Sequence, residues 1–548
     1  MSPKNIIAFA VDKMHKYRVM ELPTHFNFTQ NVVETWARKK PNGLALWWLS
    51  ADGKEEKQYS FYQIAQHGIR AANFFRKSGI KTEDRVLIAS NRIPEWWFSM
   101  LGLIRLGAVP VPCTPLLSER EFSYRTQTAR ITAVVCDKET MDKVSGFAGI
   151  RILIDDDEEG WLNFSKGCDR ESSSDQDTIT HGSAPGILYF TSATTGEPKM
   201  VLHTQISYGL AHQTTGKYWL DLRDNDIHWN VSDVGWGKAA WSSFFGPWHQ
   251  GACIFCRDSR RFCPVSVLDT LANFPITTWC APPTALRMVI KQDLTRWRFS
   301  SLRHCVSAGE PVNPELISAW RNGTGLTIYE AYGQTETVAL IGNFRCLQHN
   351  VLPGSMGRVA PGFEVGLVDD ACNELPDGRE GEIAVRVKPN RPMGLFKEYW
   401  LNPKATAEQF RGDWYLTGDR AIRDKDGYYW FVGRKDDVIK SSGYRIGPFE
   451  VESALLEHPA VVETGVVGVP DPLRGQIVKA YIVLRQGVES SESLKHELQQ
   501  HCKKVASPYK YPREIEFVPD LPKTTSGKIR RVDLRARAAA QTNDQSAG

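Results

Sequence analysis

Residues 189–200 read YFTSATTGEPKM, and they hold the densest set of groups in the chain able to cradle a polyphosphate. Thr191, Ser192, Thr194 and Thr195 supply hydroxyls, Ala193, Gly196, Glu197 and Pro198 lie among them, and Lys199 ends the stretch with a cation. Hydroxyls and free backbone N–H groups on a turn satisfy phosphate oxygens, and a terminal lysine neutralises them. The Walker pattern requires two glycines five apart followed by Lys and Ser or Thr, so an ordinary P-loop kinase or GTPase is disfavoured. A polar surface loop after a strand would have the same composition.

The elements that position this stretch follow from hydrophobic patterning. Residues 186–190, GILYF, form a short apolar run that predicts a buried strand leading into the loop. Upstream, strand-like runs at 86–89, 108–112, 131–136 and 151–155 are separated by helical patterns at 94–106 and 118–130. Residues 157–183 are acidic, then rich in Ser and Asp, and read as a loop. The alternation resumes with strands at 277–281, 304–307 and 326–329 and helices at 283–292 and 314–321. Such alternation predicts parallel βαβ units with ligand sites at the strand ends. Glycines and short β-like runs at 364–368 and 382–387 predict a small β-rich subdomain. After Gly433, helices at 449–457 and 493–505 and strands at 461–469 and 478–484 predict a small α+β unit.

Composition bounds the function class. A chain of 548 residues exceeds one hydrophobic core, and 42% hydrophobic with 24% charged residues excludes disorder over most of it. The net charge of +4 is spread rather than clustered, so no nucleic-acid surface is expected. Eleven cysteines without a repeated CxxC or Cys/His spacing predict reduced thiols and no structural zinc. The most membrane-like run, 96–113, contains Arg105, Pro110 and Pro112 and reads as a buried helix and strand. Lys4, Lys13, Lys16 and Arg18 hint at a transit peptide, but Asp12 and Glu21 and the scarcity of serines favour the cytoplasm, with the mitochondrial matrix as the alternative.

Five stretches in order carry a closer likeness: TSATTGEPK at 191–199, EAYGQTE at 330–336, WYLTGD at 414–419, GRKDDVIKSSGYRI at 433–446 and PKTTSGKI at 522–529. Together they resemble the acyl-adenylate-forming superfamily, which includes acyl-CoA synthetases, firefly luciferase and peptide-synthetase adenylation domains. PEWW at 94–97, SDVGW at 232–236, GPFEVE at 447–452, DPLRG at 471–475 and PYKYPR at 508–513 make the chain most similar to medium-chain acyl-CoA synthetases, with acetyl-CoA synthetases next. The resemblance implies a large α/β N-terminal domain, 1–435, of parallel βαβ layers and a small β-rich subdomain. A mobile α+β C-terminal domain, 436–548, would be hinged near Asp436.

It also implies a reaction. A carboxylate is a poor electrophile, so it attacks the α-phosphorus of ATP to give acyl-AMP and pyrophosphate; the thiol of coenzyme A then displaces AMP. Uniting two anions makes the protein's task electrostatic and positional. By this resemblance residues 191–199 bind ATP phosphates, and Glu330, Ala331, Tyr332, Gly333, Gln334 and Thr335 line the adenine side. Glu336 holds Mg²⁺, and Asp419 and Arg434 meet ribose or phosphate. Lys528, with Thr335 and Glu336, is expected to serve adenylation. Ser442, Gly443, Tyr444, Arg474 and Arg513 are expected at CoA, and Trp236, Thr335 and Arg445 at the acyl group, a medium-chain or aromatic carboxylate. Ala193 stands where the superfamily has glycine, so Ala193→Gly is expected to raise adenylation turnover if that position needs φ > 0. Four other readings share much of this pattern: a short-chain CoA synthetase, a CoA-independent adenylate-forming ligase, a luciferase-like oxygenase, and a non-catalytic nucleotide-binding protein.

Overall fold

The computed structural model describes residues 22–174, 178–191, 198–259, 261–442, 444–524 and 527–546. Ser192, Ala193, Thr194, Thr195, Gly196, Glu197 and Gly443 lie outside the described residues, and with them the expectations placed there.

Two parallel sheets occupy the N-terminal part. In one, Val109–Pro112, Arg85–Ala89, Ala133–Cys136, Ile150–Leu153 and Leu162–Asn163 run parallel in that order. In the other, Leu44–Leu49, Cys253–Arg257, Ile227–Asn230, Thr278–Cys280, His304–Ala308 and Ile328–Tyr332 are parallel neighbours. That second sheet continues through Ile341–Gly342 and Ser355–Val359 into antiparallel strands Tyr429–Arg434, Trp414–Arg423, Glu380–Arg386 and Val365–Val368, the β-rich subdomain. Helix Pro94–Leu106 is buried on nearly every face, which explains its membrane-like composition; Gly107 ends it in the left-handed region at φ 78°. Among the described residues no helix is long and apolar enough to cross a membrane. All eleven cysteines are free thiols.

The strand before the phosphate loop, Pro185–Phe190, is buried as expected and stands outside both parallel sheets. It pairs antiparallel with Met200–Thr204, and Glu398–Tyr399 adds to the same three-stranded sheet. The nine residues 191–199 between the two strands return the chain directly, and only an antiparallel partner can be reached without a crossover. Residues 157–183 are not all loop. Leu162–Asn163 forms a strand, and Phe164–Asp169 a helix whose first turn is capped by the Asn163 side chain accepting from Lys166 N–H at 2.9 Å. Phe164 is buried and anchors that helix.

The C-terminal unit has its own core. Tyr444–Ile446, Ile439–Ser441, Gly475–Leu484 and Val461–Asp471 form an antiparallel sheet, with Glu514–Phe517 parallel to Gly475–Leu484. Helices Pro448–Leu456 and Glu492–Val505 cover it through Val451, Leu455, Leu498 and Cys502. This unit meets the N-terminal part at several places, two of them near the cavity. Asn313 Nδ2 donates to Ser453 Oγ at 2.9 Å, and Gly527 sits against Thr284.

Candidate active site

A cavity of about 900 Å³ lies between the two units. Its walls include Thr191 and Lys199 from the hairpin, residues 330–336, Asp419, Arg434 and Asp436 from the β-rich subdomain and its exit, and Lys528 from the C-terminal unit. Residues separated by more than 300 positions therefore face one space.

The hairpin brings its two ends together. Thr191 N–H donates to Lys199 C=O at 2.9 Å, and Lys199 N–H donates to Thr191 Oγ1 at 3.1 Å. Lys199 Nζ lies 4.7 Å from the centre of the Tyr399 ring, a cation–π contact that holds the ammonium over the cavity wall.

Residues 330–336 continue the strand Ile328–Tyr332 beyond its C-terminal end, where parallel sheets place ligands. Gly333 has no substitute there, because a Cβ would come within 2.5 Å of both Trp241 and the Val338 carbonyl. Tyr332 O–H donates to Asp419 Oδ2 at 2.7 Å, and Gln334 Nε2 donates to the same oxygen at 2.7 Å. Gln334 is itself fixed: Nε2 reaches Thr417 C=O at 2.8 Å and Oε1 accepts from Tyr415 O–H at 3.0 Å. Asp419 is thus aimed by two donors, leaving Oδ1 turned towards Arg434 at 3.9 Å. Burial pushes its carboxyl up, and Arg434, Tyr332, Gln334 and Lys528 pull it back towards the ionised form. Gly418, at φ 75°, lets the chain turn between Thr417 and Asp419.

Glu336 is buried, and Tyr399 O–H donates to its Oε1 at 2.7 Å. Burial raises this carboxyl as well, with Tyr399, Arg434 and Lys199 acting against it. Among the described residues no cluster of three or more His, Cys, Asp or Glu could hold a metal by itself. One oriented carboxylate beside cations that can take phosphate fits Mg²⁺, which keeps waters and shares phosphate oxygens rather than filling a protein cage.

Glu330 differs from its neighbours. Its buried carboxyl accepts from Val312 N–H at 3.2 Å, and desolvation pushes it up to about 8. It therefore braces the 311–313 segment as well as lining the cavity.

Lys528 sits on a turn closed by Thr524 N–H donating to Lys528 C=O at 2.8 Å and Lys528 N–H to Thr524 Oγ1 at 3.1 Å. Beyond it, Arg531 makes two 2.7 Å bonds to Glu452, and Arg535 Nη1 reaches Asp437 Oδ1 at 2.7 Å. The residue after Asp436 is thereby tied to the same helix, Arg531–Ser546, that follows Lys528. Lys435, whose charge beside the expected hinge had no evident partner in the sequence, is held by Glu382 and Asp370, each at 3.1 Å.

Of the residues expected at CoA, the described ones, Ser442, Tyr444, Arg474 and Arg513, do not line this cavity. Ser442 N–H donates to Arg474 C=O at 3.0 Å, Tyr444 is half exposed and stacks on Tyr509 with ring centres 4.4 Å apart, and Arg513 lies over the Tyr511 ring at 5.0 Å. Arg445, expected near the acyl group, does not line the cavity; its Nη1 lies 3.9 Å from Glu380 of the β-rich subdomain. Trp236 does not line the cavity either. It precedes the short helix Gly237–Ala240, and it is Gly237 that abuts Thr335.

Sequence reading missed Tyr399 and Tyr415, which orient Glu336 and Gln334. Both are buried in strands, where a phenolic hydroxyl needs a partner, but a core tyrosine looks the same in sequence. It also missed Arg287 and Glu310 on the cavity wall, with Arg287 Nη2 3.1 Å from Glu310, and Thr284 behind them, whose O–H donates to Glu310 at 3.0 Å.

Comparison with known proteins agrees with this geometry. The description "AMP-binding enzyme" matches residues 33–400 and "AMP-binding enzyme C-terminal domain" matches 450–528. The chain belongs to the AMP-binding enzyme family. Within it, the chain is 45% identical to acyl-coenzyme A synthetase ACSM3, mitochondrial, of Rattus norvegicus, over 95% of this chain and 92% of that one. It is also 45% identical to acyl-coenzyme A synthetase ACSM4, mitochondrial, of Homo sapiens, over 94% and 91%. Among solved structures it is similar to the anthranilate CoA ligase AuaEII in complex with anthranoyl-AMP, with a TM-score of 0.88 and 29% identity over 96% of this chain and all of that one. A benzoate CoA ligase from Burkholderia xenovorans LB400 aligns with a TM-score of 0.82 and 26% identity over 93% and 100%. This member of the AMP-binding family shares the architecture of those ligases throughout its length.

Proposed function

We propose that the protein is an ATP-dependent acyl-CoA synthetase that converts a medium-chain or aromatic carboxylic acid to acyl-AMP and pyrophosphate, then to acyl-CoA and AMP. The observation that carries this reading is the convergence of Thr191, Lys199, Thr335, Glu336, Asp419, Arg434 and Lys528 on one cavity. The acyl-CoA synthetase names of its relatives and the anthranoyl-AMP in its structural neighbour support it.

In this reading Lys199 and the hydroxyl-rich loop hold the ATP phosphates, Asp419 accepts from the ribose hydroxyls, and Glu336 contributes the protein's ligand to Mg²⁺. Magnesium, when bound, supplies charge neutralisation between phosphate oxygens. Thr335 offers its hydroxyl to the reacting carboxylate or the α-phosphate. Lys528 stabilises the charge that builds as the acyl oxygen bonds to phosphorus and pyrophosphate leaves. The thiol sulfur of CoA then bonds to the acyl carbon as the bond to AMP breaks, and the thiol proton passes to solvent.

The second step needs space that Lys528 occupies. Division at 435/436, with rotation of 436–548 about Asp436, would withdraw Lys528 and bring Ser442, Gly443, Tyr444 and Arg474 round, with Arg513 nearby. The bond from Arg535 to Asp437 supports a pivot at Asp436, because the chain is tied to the small unit immediately after it. Arg445 would reach the acyl side only in that rotated state, and Trp236 would bound the acyl group beyond Gly237. A mitochondrial location is favoured over a cytoplasmic one by the names of the relatives.

The test supplies ATP, Mg²⁺ and a panel of short-chain, medium-chain and aromatic acids, and measures pyrophosphate and thioester with and without CoA. Thioester formation with medium-chain or aromatic acids is expected. Pyrophosphate release without thioester would favour a CoA-independent ligase, and no release with any acid would overturn the reading.

A further inference from the structure

Below Thr335 lies a buried polar group that the chemistry above does not use. His203, at the end of the strand Met200–Thr204, has no exposed surface. Its Nε2 lies 2.7 Å from the Thr335 carbonyl oxygen, and its Nδ1 lies 3.3 Å from Ser207 Oγ. A carbonyl can only accept, so Nε2 carries the ring proton. With a neutral ring, Nδ1 is then the acceptor and Ser207 O–H the donor. Burial supports the neutral form, holding the imidazole down to about 3. Ser207 Oγ in turn accepts Thr204 N–H at 2.8 Å, within the capping box that starts the π-helix Gln205–Leu210. The result is a one-way relay from Thr204 N–H through Ser207 and His203 to Thr335 C=O.

The ring is also held by packing. It lies 4.0 Å, centre to centre, from Tyr208, whose O–H accepts from Trp241 Nε1 at 2.8 Å and donates to Gly237 C=O at 3.4 Å. Gly237 borders the Thr335 side chain. The Thr335 peptide is thus bonded from the strand Met200–Thr204, and its side chain borders a glycine whose carbonyl is held by Tyr208.

We propose that His203 is a positioning residue for adenylation: its Nε2–H fixes the Thr335 peptide, so that Thr335 and its hydroxyl are held in register with the strand Met200–Thr204. The inference rests on the proposed acyl-adenylating function. Its consequence is specific. Loss of the donor should slow formation of acyl-AMP while leaving nucleotide affinity nearly intact, since the donors to Asp419 have anchors of their own: Gln334 is bonded to Thr417 and Tyr415, and Tyr332 ends a strand of the parallel sheet.

The test uses the full-length protein and four forms: wild type, His203→Phe, which keeps an aromatic ring beside Tyr208 but has no donor; His203→Gln, which can restore a donor near the Nε2 position; and Ser207→Ala, a milder change that removes the hydroxyl facing Nδ1. Pyrophosphate release with a turned-over acid gives kcat and KM for ATP and acid, AMP affinity is measured by calorimetry, and thioester formation is followed from synthetic acyl-AMP and CoA. A misplaced reacting group costs up to about 100-fold. The expected result is a kcat for pyrophosphate release about 10- to 100-fold lower in His203→Phe, with AMP affinity and the rate from acyl-AMP within about threefold. His203→Gln should recover most of that loss, and Ser207→Ala should fall between. A folded His203→Phe with wild-type kcat, a Gln variant no better than Phe, or an equal loss of AMP affinity overturns the inference. If His203→Phe fails to fold, a wild-type kcat in Ser207→Ala overturns it. A wild type that releases no pyrophosphate with any acid overturns the function instead, and so separates the two failures.

Discussion

The nucleotide side of the cavity and the segment expected at CoA are built on opposite plans. Asp419 and Glu336 sit buried with their donors already in place: Tyr332 and Gln334 for one, Tyr399 for the other. Ser442, Tyr444 and Arg474 lie at the surface of the small unit, and their contacts are mostly among themselves and with Tyr509. The first arrangement prepares groups that must not move while charge develops. The second keeps groups in water on the small unit, which the proposed mechanism asks to carry them to the cavity. A preorganised site loses little by waiting for nucleotide, because its polar atoms are satisfied without it.

The largest expected effect tests whether Lys528 belongs to the first plan alone. Lys528→Ala should lower pyrophosphate release by at least about 100-fold, in line with loss of one charge-stabilising group, yet leave thioester formation from supplied acyl-AMP within a few-fold. Equal loss in both assays would remove the distinction between the two regions. Next, Asp419→Asn would set an amide against the donors from Tyr332 and Gln334. AMP affinity measured by calorimetry should fall about 10- to 100-fold, matching about 1–3 kcal/mol for a buried group left unsatisfied. An unchanged affinity would mean that the buried carboxylate serves only the protein.

On the other side, Arg474→Ala should raise KM for CoA about tenfold, the scale of one hydrogen bond to a charged group, with no change in CoA-independent pyrophosphate release. A change in the latter would tie the surface segment to the first step.

The smallest effect contrasts Glu330 with its better-served neighbours. Its folded carboxyl titrates near 8 against an ordinary 4.5. Between these values the unfolded chain releases a proton that the folded chain keeps, so stability falls as pH rises through that window and then levels off. Each pH unit there contributes at most about 1.4 kcal/mol. Glu330→Gln can keep the bond from Val312 N–H while removing the titration. Its melting temperature should gain on wild type between pH 5 and pH 8.5, by a few degrees at the upper end. A constant difference across that range would show that Glu330 is not the group that titrates.

Legibility followed the range of the interactions. The helix Pro94–Leu106 begins at a proline and ends before a glycine, so its bounds could be read almost to the residue. The Glu492–Val505 helix, expected at 493–505, differs by one residue at its start, where the Ser491 side chain caps it. The antiparallel pairing of Pro185–Phe190 was not read, because an apolar strand buried on both faces looks alike in either kind of sheet. Thr191, Lys199, Asp419 and Lys528 could be named from motifs in order. Tyr399 and His203 could not, since each acts on a residue far along the chain (Glu336 and Thr335).

The sequence alone determined which chemical groups are present: the hydroxyl-rich turn, the acidic and basic residues of five ordered motifs, and the alternation that builds parallel layers. These depend on residue type and local periodicity, which one chain displays directly. Only the tertiary structure decided which atoms meet. It gave Asp419 two donors on one oxygen, set Glu330 against a backbone amide rather than leaving it open, and put Arg445 beside Glu380 rather than on the cavity wall. Such pairings depend on a few ångströms between segments hundreds of residues apart, and hydrogen bonds and charge interactions in a buried site change with each of those distances.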